Sequence, residues 1–543
     1  MASPAELPVY LREVETVLPR ILASFDRDPL SPTFGVGDRT YWAWKLIDFA
    51  NATPQGYVHG LARLVASDLL PEWLSKDAVL RRIEEIITGT SNILRKDGSL
   101  EEALPFEKSF CVTALIAFDL LAADELLQNH LTPTVRKKLR DVVRPMISFL
   151  HKADEKHDLI SNHLATASAA LFRWTIATGE PGEDRGRIFL ERILQYQSKE
   201  GWFNEYGGAD PGYQSLATYY LADLHRCRPD LQLIEPLRNS LRFLSHFLHP
   251  DGSFGGLYGS RNTRFLVPAG LEALAPEISE ARTLAHAART SIGNRTTVSL
   301  SAIDAPNLAP MFNAYCWAAA EQAKRPSLAP AQPAPWQQEE KKRVIFHQAG
   351  LIVDWAPTHY AVVSTRKGGA YYYYDRQDGK TQIDGGPLAT DRRENYYTTQ
   401  RRLKGTFETK GAEIEIKAPL GKLSHRLPSP LDFVILRLLS LSVMRSRILS
   451  NLVKRLLVRL LITDHGSGKN NVNVCRTINL DPKLSVQDNI LGEKSGLTLL
   501  PPGQAYSAIH MASQGYWQRG DDIPSGNSLG SPTSTTIWES QPK

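Results

Sequence analysis

Residues Arg325–Arg343 read RPSLAPAQPAPWQQEEKKR, with four prolines and almost no apolar periodicity. Proline fixes φ and removes a backbone donor, so a run this dense neither continues a helix nor enters a sheet. The stretch divides the chain, and the spacing of apolar residues differs on its two sides. Upstream, from about residue 10 to 320, apolar residues recur at three and four, as in Leu164, Ala167, Leu171 and Trp174, or Leu216, Tyr219, Tyr220 and Leu224. That is the spacing of one helix face. Downstream the period falls to two. VIFHQAGLIVDW, HYAVVSTR, AYYYYDR and AEIEIKA are β-branched and aromatic runs broken by Gly, Asp or Lys, the pattern of antiparallel strands. The expected organisation is a helical domain over 1–324, a Pro-rich linker over 325–343 and an antiparallel β domain over 344–543.

Three turn signals recur in the helical part: KDGSL (Lys96–Leu100), KEGWF (Lys199–Phe203) and PDGSF (Pro250–Phe254). Each closes a helix and returns the chain. Repeated helical hairpins of this kind predict a closed ring or a solenoid of helix pairs.

The 543 residues are 42% hydrophobic and 22% charged, which excludes a disordered, collagen-like or integral-membrane chain. Lys and Arg number 63 against 58 Asp and Glu, a net of +5. That balance suits an anionic ligand and falls short of a nucleic-acid footprint. Cys111, Cys227, Cys316 and Cys475 lie far apart without a CxxC, so neither a zinc ribbon nor a disulfide framework fits. The opening MASPAELPVYLREVETVLPRIL has acidic residues where a signal peptide needs an apolar core. The expected location is the cytoplasm by default, or the periphery of a membrane. The Leu-rich stretch Leu431–Ile462 bears on that choice. It carries Arg437, Arg445, Arg447, Lys454, Arg455 and Arg459, too many charges for a bilayer span. It reads either as amphipathic helices packed on the sheet or as an interfacial helix pair on anionic lipid.

Two short segments can carry chemistry. Ser161-Asn162-His163 precedes the periodic run LATASAALFRW. Ser161 is a natural N-cap, which places Asn162 and His163 in a first helical turn, where the dipole favours neutral imidazole. There the carboxamide and one ring nitrogen can donate to an anionic or enolate-like oxygen. The second segment, GWFNEYGGADPGYQ (Gly201–Gln214), contains Asp210 followed by Pro211, a strong helix start. Tyr213 then falls near the third helical position, at the positive end that stabilises a phenolate for proton exchange. Glu205, Asp210 and Asp251 offer carboxylates for a hydrolase, and Tyr206 is an alternative phenol in the same turn.

These residues resemble the heparinase II/III group of polysaccharide lyases, with related alginate lyases and dermatan sulfate epimerases. The likeness rests on SNHLA at a helix start and, about 50 residues on, a charged–Gly–aromatic turn with a GY/Q step opening the next helix. The resemblance implies an α+β chain with an N-terminal (α/α) toroid of helical hairpins and a C-terminal antiparallel β-sandwich. It implies β-elimination at a uronic acid within an acidic polysaccharide or oligosaccharide, with no cofactor or metal required for the chemistry. Asn162 and His163 match the family's stabilising pair, and Tyr213 its proton-transferring tyrosine.

The chain departs from the family where a histidine is usual in an early β-domain strand. Here that stretch is Lys367-Gly368-Gly369-Ala370-Tyr371-Tyr372-Tyr373-Tyr374-Asp375, without one. His347 and His359 lie nearby in sequence but not at the matching position. Tyr371 is expected to line a sugar subsite by stacking. Trp42 and Trp44 in YWAWK, with Glu205, Tyr206 and Arg261, are the expected substrate contacts, because sugar faces stack on aromatic planes and Arg reads carboxylate or sulfate bidentately. The rival readings are a uronyl C5-epimerase, a glycoside hydrolase and a non-catalytic polysaccharide-binding protein. Polymer, linkage and oligomeric state stay open.

Overall fold

A computed structural model describes residues 7–155, 159–327, 329–401, 405–423, 427–442, 472–491 and 496–508. Residues 443–471, the greater part of the basic Leu-rich stretch, lie outside them, as do 509–543.

Among the described residues, six inner helices form a ring: Tyr57–Ala66, Phe110–Leu126, Ser161–Thr178, Pro211–Cys227, Pro268–Leu274 and Ala305–Lys324. Each packs on the next and the last packs on the first, so the ring closes. Six outer helices return the chain between them, Val9–Leu22, Lys76–Ile93, Pro133–Lys152, Glu183–Gln195, Ile234–Ser245 and Ser279–Gly293, each packed mainly against one inner neighbour. This is an (α/α) toroid. The two layers differ for a physical reason. Apart from half-buried Cys111, every residue from Phe110 to Asp124 of an inner helix is buried, whereas Pro133–Lys152 buries one face only. Several of the polar residues forced into the ring are paired. His59 meets Asp119 at 3.0 Å, and Arg173 holds Asp223 with two hydrogen bonds, at 2.8 and 2.6 Å.

The last toroid helix ends at Lys324 and the first strand begins at Lys342, with a short helix, Pro335–Gln338, between them. Strands β1 (Lys342–Phe346), β2 (Leu351–Trp355), β3 (His359–Ser364), β4 (Ala370–Asp375) and β5 (Thr381–Asp384) form an antiparallel meander. Further on come β6 (Leu388–Thr390), β7 (Tyr396–Thr398), β8 (Thr406–Lys410), β9 (Glu413–Pro419), β10 (Gly421–Lys422), β11 (Asn473–Asn479), β12 (Ser485–Leu491) and β13 (Thr498–Leu499). They make two more sheets, ordered β12-β11-β9-β8 and β10-β7-β6-β13.

The meander is buried on both faces, and strand alternation sorts its side chains. Ile352, Ala361, Val363, Tyr371 and Tyr373 pack with Ile414, Ile416 and Ile478 inside the β-sandwich. Leu351, Val353, Tyr360, Val362 and Tyr372 face the other way and join the toroid core. Tyr372 stacks on His249 of the toroid with ring centroids 3.8 Å apart. At the centre of the sandwich the buried Arg476 guanidinium pairs with Asp384 and Asp488. Gly369, at φ 87°, leaves room for it, since a Cβ there would sit 2.6 Å from Arg476 Cδ.

Pro430–Ser442 is a helix, the described beginning of the basic Leu-rich stretch. Of its residues Ser440 is buried, and Leu436, Arg437 and Leu439 are half-buried. Among the described residues no helix is long and apolar enough to cross a membrane.

Candidate active site

The N-terminal ends of two consecutive inner helices, at Ser161 and Pro211, meet the segments Asn204–Asp210 and Gly259–Thr263. The start of the Ser161 helix differs from the sequence expectation. Ile160 takes the cap position with no side-chain cap, and Ser161 is the first helical residue. The Ser161 hydroxyl instead donates to the Asn204 carbonyl at 2.8 Å, because Ile160 is bridged to Glu205 and draws the chain against that loop. The free amide at this helix end is satisfied from 43 residues away. Asn162 N donates to Glu205 Oε1 at 2.9 Å, and Asn162 Nδ2 donates to Oε2 at 2.7 Å.

The second helix starts as expected. Asp210 is the N-cap, accepting from Tyr213 N at 3.1 Å, and Pro211 opens the helix. The same carboxylate binds the opposite segment, accepting from Arg261 N at 2.8 Å and from the Thr263 hydroxyl. Asp210 is therefore a joint between two walls of the site.

Tyr206 is the hub of the cluster, at φ 56° in the glycine-rich turn. Its ring meets His163 edge-on with centroids 6.2 Å apart, and Tyr213 at 5.8 Å. The Arg261 guanidinium lies 4.1 Å from the Tyr206 centroid, and Phe265 backs Tyr213 at 5.7 Å. His163, Tyr206 and Tyr213 are half-buried, while Asn162, Glu205 and Arg261 are buried behind them. The structure thus brings together Asn162, His163, Glu205, Tyr206, Tyr213 and Arg261.

The electrostatics correct two expectations. The helix dipole was expected to keep His163 neutral. Burial does act in that direction, but Cys111 and Glu155 outweigh it and hold the imidazole well above its ordinary pKa. Glu155 Oε2 is 3.1 Å from His163 Nδ1. Glu205 was expected to touch substrate. It is fully buried, and burial pushes its carboxyl up to about 8 against the lowering effect of Asn162's two donors. Its observed contact is with Asn162, and its burial removes it as a solvent-facing carboxylate. Tyr206 is likewise raised well above 10, by burial first and then by Tyr213.

Three expected contacts fall elsewhere. Tyr371 is 3% exposed inside the β-sandwich, on the face of β4 turned away from the toroid. Trp42 is half-buried with Nε1 donating to Ser24 O at 2.9 Å, and Trp44 is exposed. Neither tryptophan hydrogen-bonds or stacks with the cluster among the described residues. His359 is also accounted for within the sheet, 2.8 Å from Asp354, and His347 stacks on Phe407.

Lys367 was missed as a site residue. It is buried, and Nζ donates to Leu257 O at 2.9 Å, to Gly259 O and to Asn262 Oδ1. The β domain thereby grips the segment that carries Arg261. Burial pulls its ammonium down to about 7, opposed by Asp210 and reinforced by Arg261. The signal was present: a lysine directly before Gly368 and Gly369, both at positive φ. Among the described residues, no group of three or more His, Cys, Asp or Glu is arranged to hold a metal ion.

No family model matches the sequence, and no curated protein matches it at a significant level. The backbone is similar to that of chondroitin AC lyase from Streptomyces coelicolor A3 in complex with chondroitin sulphate. The TM-score is 0.50 and the identity 14%, over 78% of this chain and 68% of that one. A xanthan lyase from Paenibacillus follows at TM-score 0.48 and 11% identity, over 78% of this chain and 46% of the lyase. Heparinase III gives 0.43 and 11%, over 86% of this chain and 75% of that one. The likeness to the chondroitin lyase is one of fold. The chain shares a toroid-plus-sandwich architecture with that lyase.

Proposed function

We propose that this chain is a polysaccharide lyase that cleaves a uronic-acid-containing polysaccharide by β-elimination. The observation that carries the reading is the Asn162 carboxamide, locked by buried Glu205, beside His163 and two phenols. A proton α to a carboxylate is only weakly acidic. Its removal needs fixed donors aimed at the carboxylate as it gains a second negative charge. Asn162 and the imidazolium of His163 supply them, and a charged donor serves a dianion better than the neutral ring expected from sequence.

Tyr213 takes the C5 proton as base. The electron pair forms the C4–C5 double bond, the C4–O bond breaks, and the departing oxygen receives a proton from Tyr213 or from water. Arg261, buried behind the ring, tunes Tyr206 through its ring face. The reading is tested by digesting a panel of uronans with purified protein. A rise in the ultraviolet band of an unsaturated uronate supports it. Reducing ends without that band select a hydrolase, and solvent deuterium at C5 without cleavage selects an epimerase.

A further inference from the structure

The far end of the ring holds a second cavity. The helices that present Asn162 and Tyr213 at their N-terminal ends finish at Thr178 and Cys227. Arg173 lies eleven residues beyond Asn162 and Arg226 thirteen beyond Tyr213, roughly 15–20 Å away along the helix axes. There a cavity of about 400 Å³ is lined by Arg136, Arg140, Arg173 and Arg226, with Asp124, Glu125 and Gln128 among them. Arg136 ends the first turn of the outer helix Pro133–Lys152, where the dipole disfavours a cation.

Each carboxylate here is shared by two arginines. Asp124 accepts from Arg136 at 2.6 Å and from Arg140 at 2.9 Å. Glu125 meets Arg173 and, at 3.1 Å, Arg226. Asp223 holds Arg173 at 2.6 Å and Arg226 at 3.4 Å. A fifth guanidinium, Arg63, is buried within the fields of Arg226 and Arg173, and among the described residues it is in no ion pair. One of its amino nitrogens meets His59 Nε2 at 3.4 Å, its face lies 5.5 Å from the Trp317 ring, and its Nε has no partner. Asp119 does not offset this charge, because burial disfavours its ionised form. Glu277 and Glu321, beyond Arg226, are taken by His225 at 3.3 Å and Arg325 at 2.6 Å. Five guanidiniums therefore stand over three carboxylates, and cations withdrawn from water without a counter-ion are costly.

We propose that this cavity binds the phosphate or sulfate group of a small ligand, whose two negative charges match the surplus. A guanidinium grips two oxygens of such a group at once, and the arginines keep donors that their carboxylates do not use. A volume of about 400 Å³ is that of a small-molecule site, with room for one sugar ring beside the anion. The proposal is independent of the lyase reading.

The test titrates the full chain by calorimetry with sodium phosphate, sodium sulfate, glucose 6-phosphate and sodium glucuronate. Ionic strength is held constant with sodium chloride at about pH 8, where phosphate is doubly charged. Saturable binding of phosphate and sulfate is expected, with glucuronate, a single charge, at least ~10-fold weaker. Gln128→Glu adds a carboxylate at the exposed mouth without removing an ion pair, and it should weaken phosphate binding at least ~10-fold. Arg140→Gln should do the same while Arg136 still holds Asp124, and the thermal midpoint without added anion checks that both variants are folded. Tighter binding of glucose 6-phosphate than of phosphate assigns the site to a phosphorylated sugar, and equal binding assigns it to the free anion. Three results overturn the proposal: no saturable binding of phosphate or sulfate up to tens of millimolar, unchanged affinity in either folded variant, or glucuronate bound as tightly as phosphate.

Discussion

Glu205→Gln changes one atom in the site and nothing in volume. The native carboxyl presents two acceptors, one to Asn162 N at 2.9 Å and one to Asn162 Nδ2 at 2.7 Å. Glutamine keeps one acceptor and turns an NH2 group toward the other donor. One buried hydrogen bond is lost and one buried donor is left facing another, a cost of about 1–3 kcal/mol. The helix-end amide of Asn162 cannot move, so the carboxamide gives way. Glu205 is fully buried against Asn162, so the loss should enter the rate through Asn162. At about 1.4 kcal/mol per tenfold, kcat should fall about 5- to 150-fold while KM changes less than about threefold. Asn162→Ala should be at least as slow, and the double variant should be no slower than Asn162→Ala alone, because the two residues act as one unit. Steady-state rates on the best uronan of the panel decide it. A Glu205→Gln enzyme with more than half the native kcat would refute the positioning role.

Four further outcomes follow from the same geometry. Tyr213→Phe removes one hydroxyl and should lower kcat at least ~10²-fold with KM nearly unchanged; if Tyr213 only packs over the glycine turn, Phe is silent. His163→Gln keeps a donor but not the charge held by Glu155, so the rate should fall about 10- to 100-fold, and the alkaline limb of the native pH profile, set by loss of the His163 proton above its ordinary pKa of 6.5, should vanish. The buried carboxyl of Glu205 binds a proton in the folded chain up to about pH 8, whereas the unfolded chain releases it near 4.5. Its contribution to stability is therefore complete in acid and lost as pH rises through that window, and Glu205→Gln should flatten the fall of the thermal midpoint there. Lys367→Met strands three buried acceptors on Leu257, Gly259 and Asn262 and should lower stability by about 1–3 kcal/mol in denaturant titration; a change under ~0.5 kcal/mol would contradict its role as a clamp.

What the sequence made legible was governed by local rules. The proline run at Arg325–Arg343 and the change from helical to two-residue period separate helices from strands because both signals arise within a few residues. Asp210–Pro211 reads as a helix start for the same reason, and the helix begins there. Ring closure was one of two options, since loose turn repeats suit an open solenoid equally; only contacts between the first and last inner helices choose. Ser161 read as a cap because Ser before an apolar run usually is one, but the Ile160–Glu205 bridge overrides that preference. Glu155 and Cys111 set the charge of His163 from eight and 52 positions upstream, and no periodicity announces them. Tyr371 and Tyr372 are neighbours in a run of four tyrosines, and alternation sends one into the sandwich and the other onto the toroid. A strand buried on both faces hides which side is which.

The most direct test is to follow cleavage of one oligouronide in deuterated water by absorbance and mass, with the native enzyme and with Tyr213→Phe side by side. The expected native product carries the unsaturated-uronate band and is lighter by one water than a hydrolysis product, and Tyr213→Phe forms it at least ~10²-fold more slowly with the fold intact. Native product without the band, deuterium at C5 in uncleaved substrate, or an undiminished rate in Tyr213→Phe would contradict β-elimination through Tyr213.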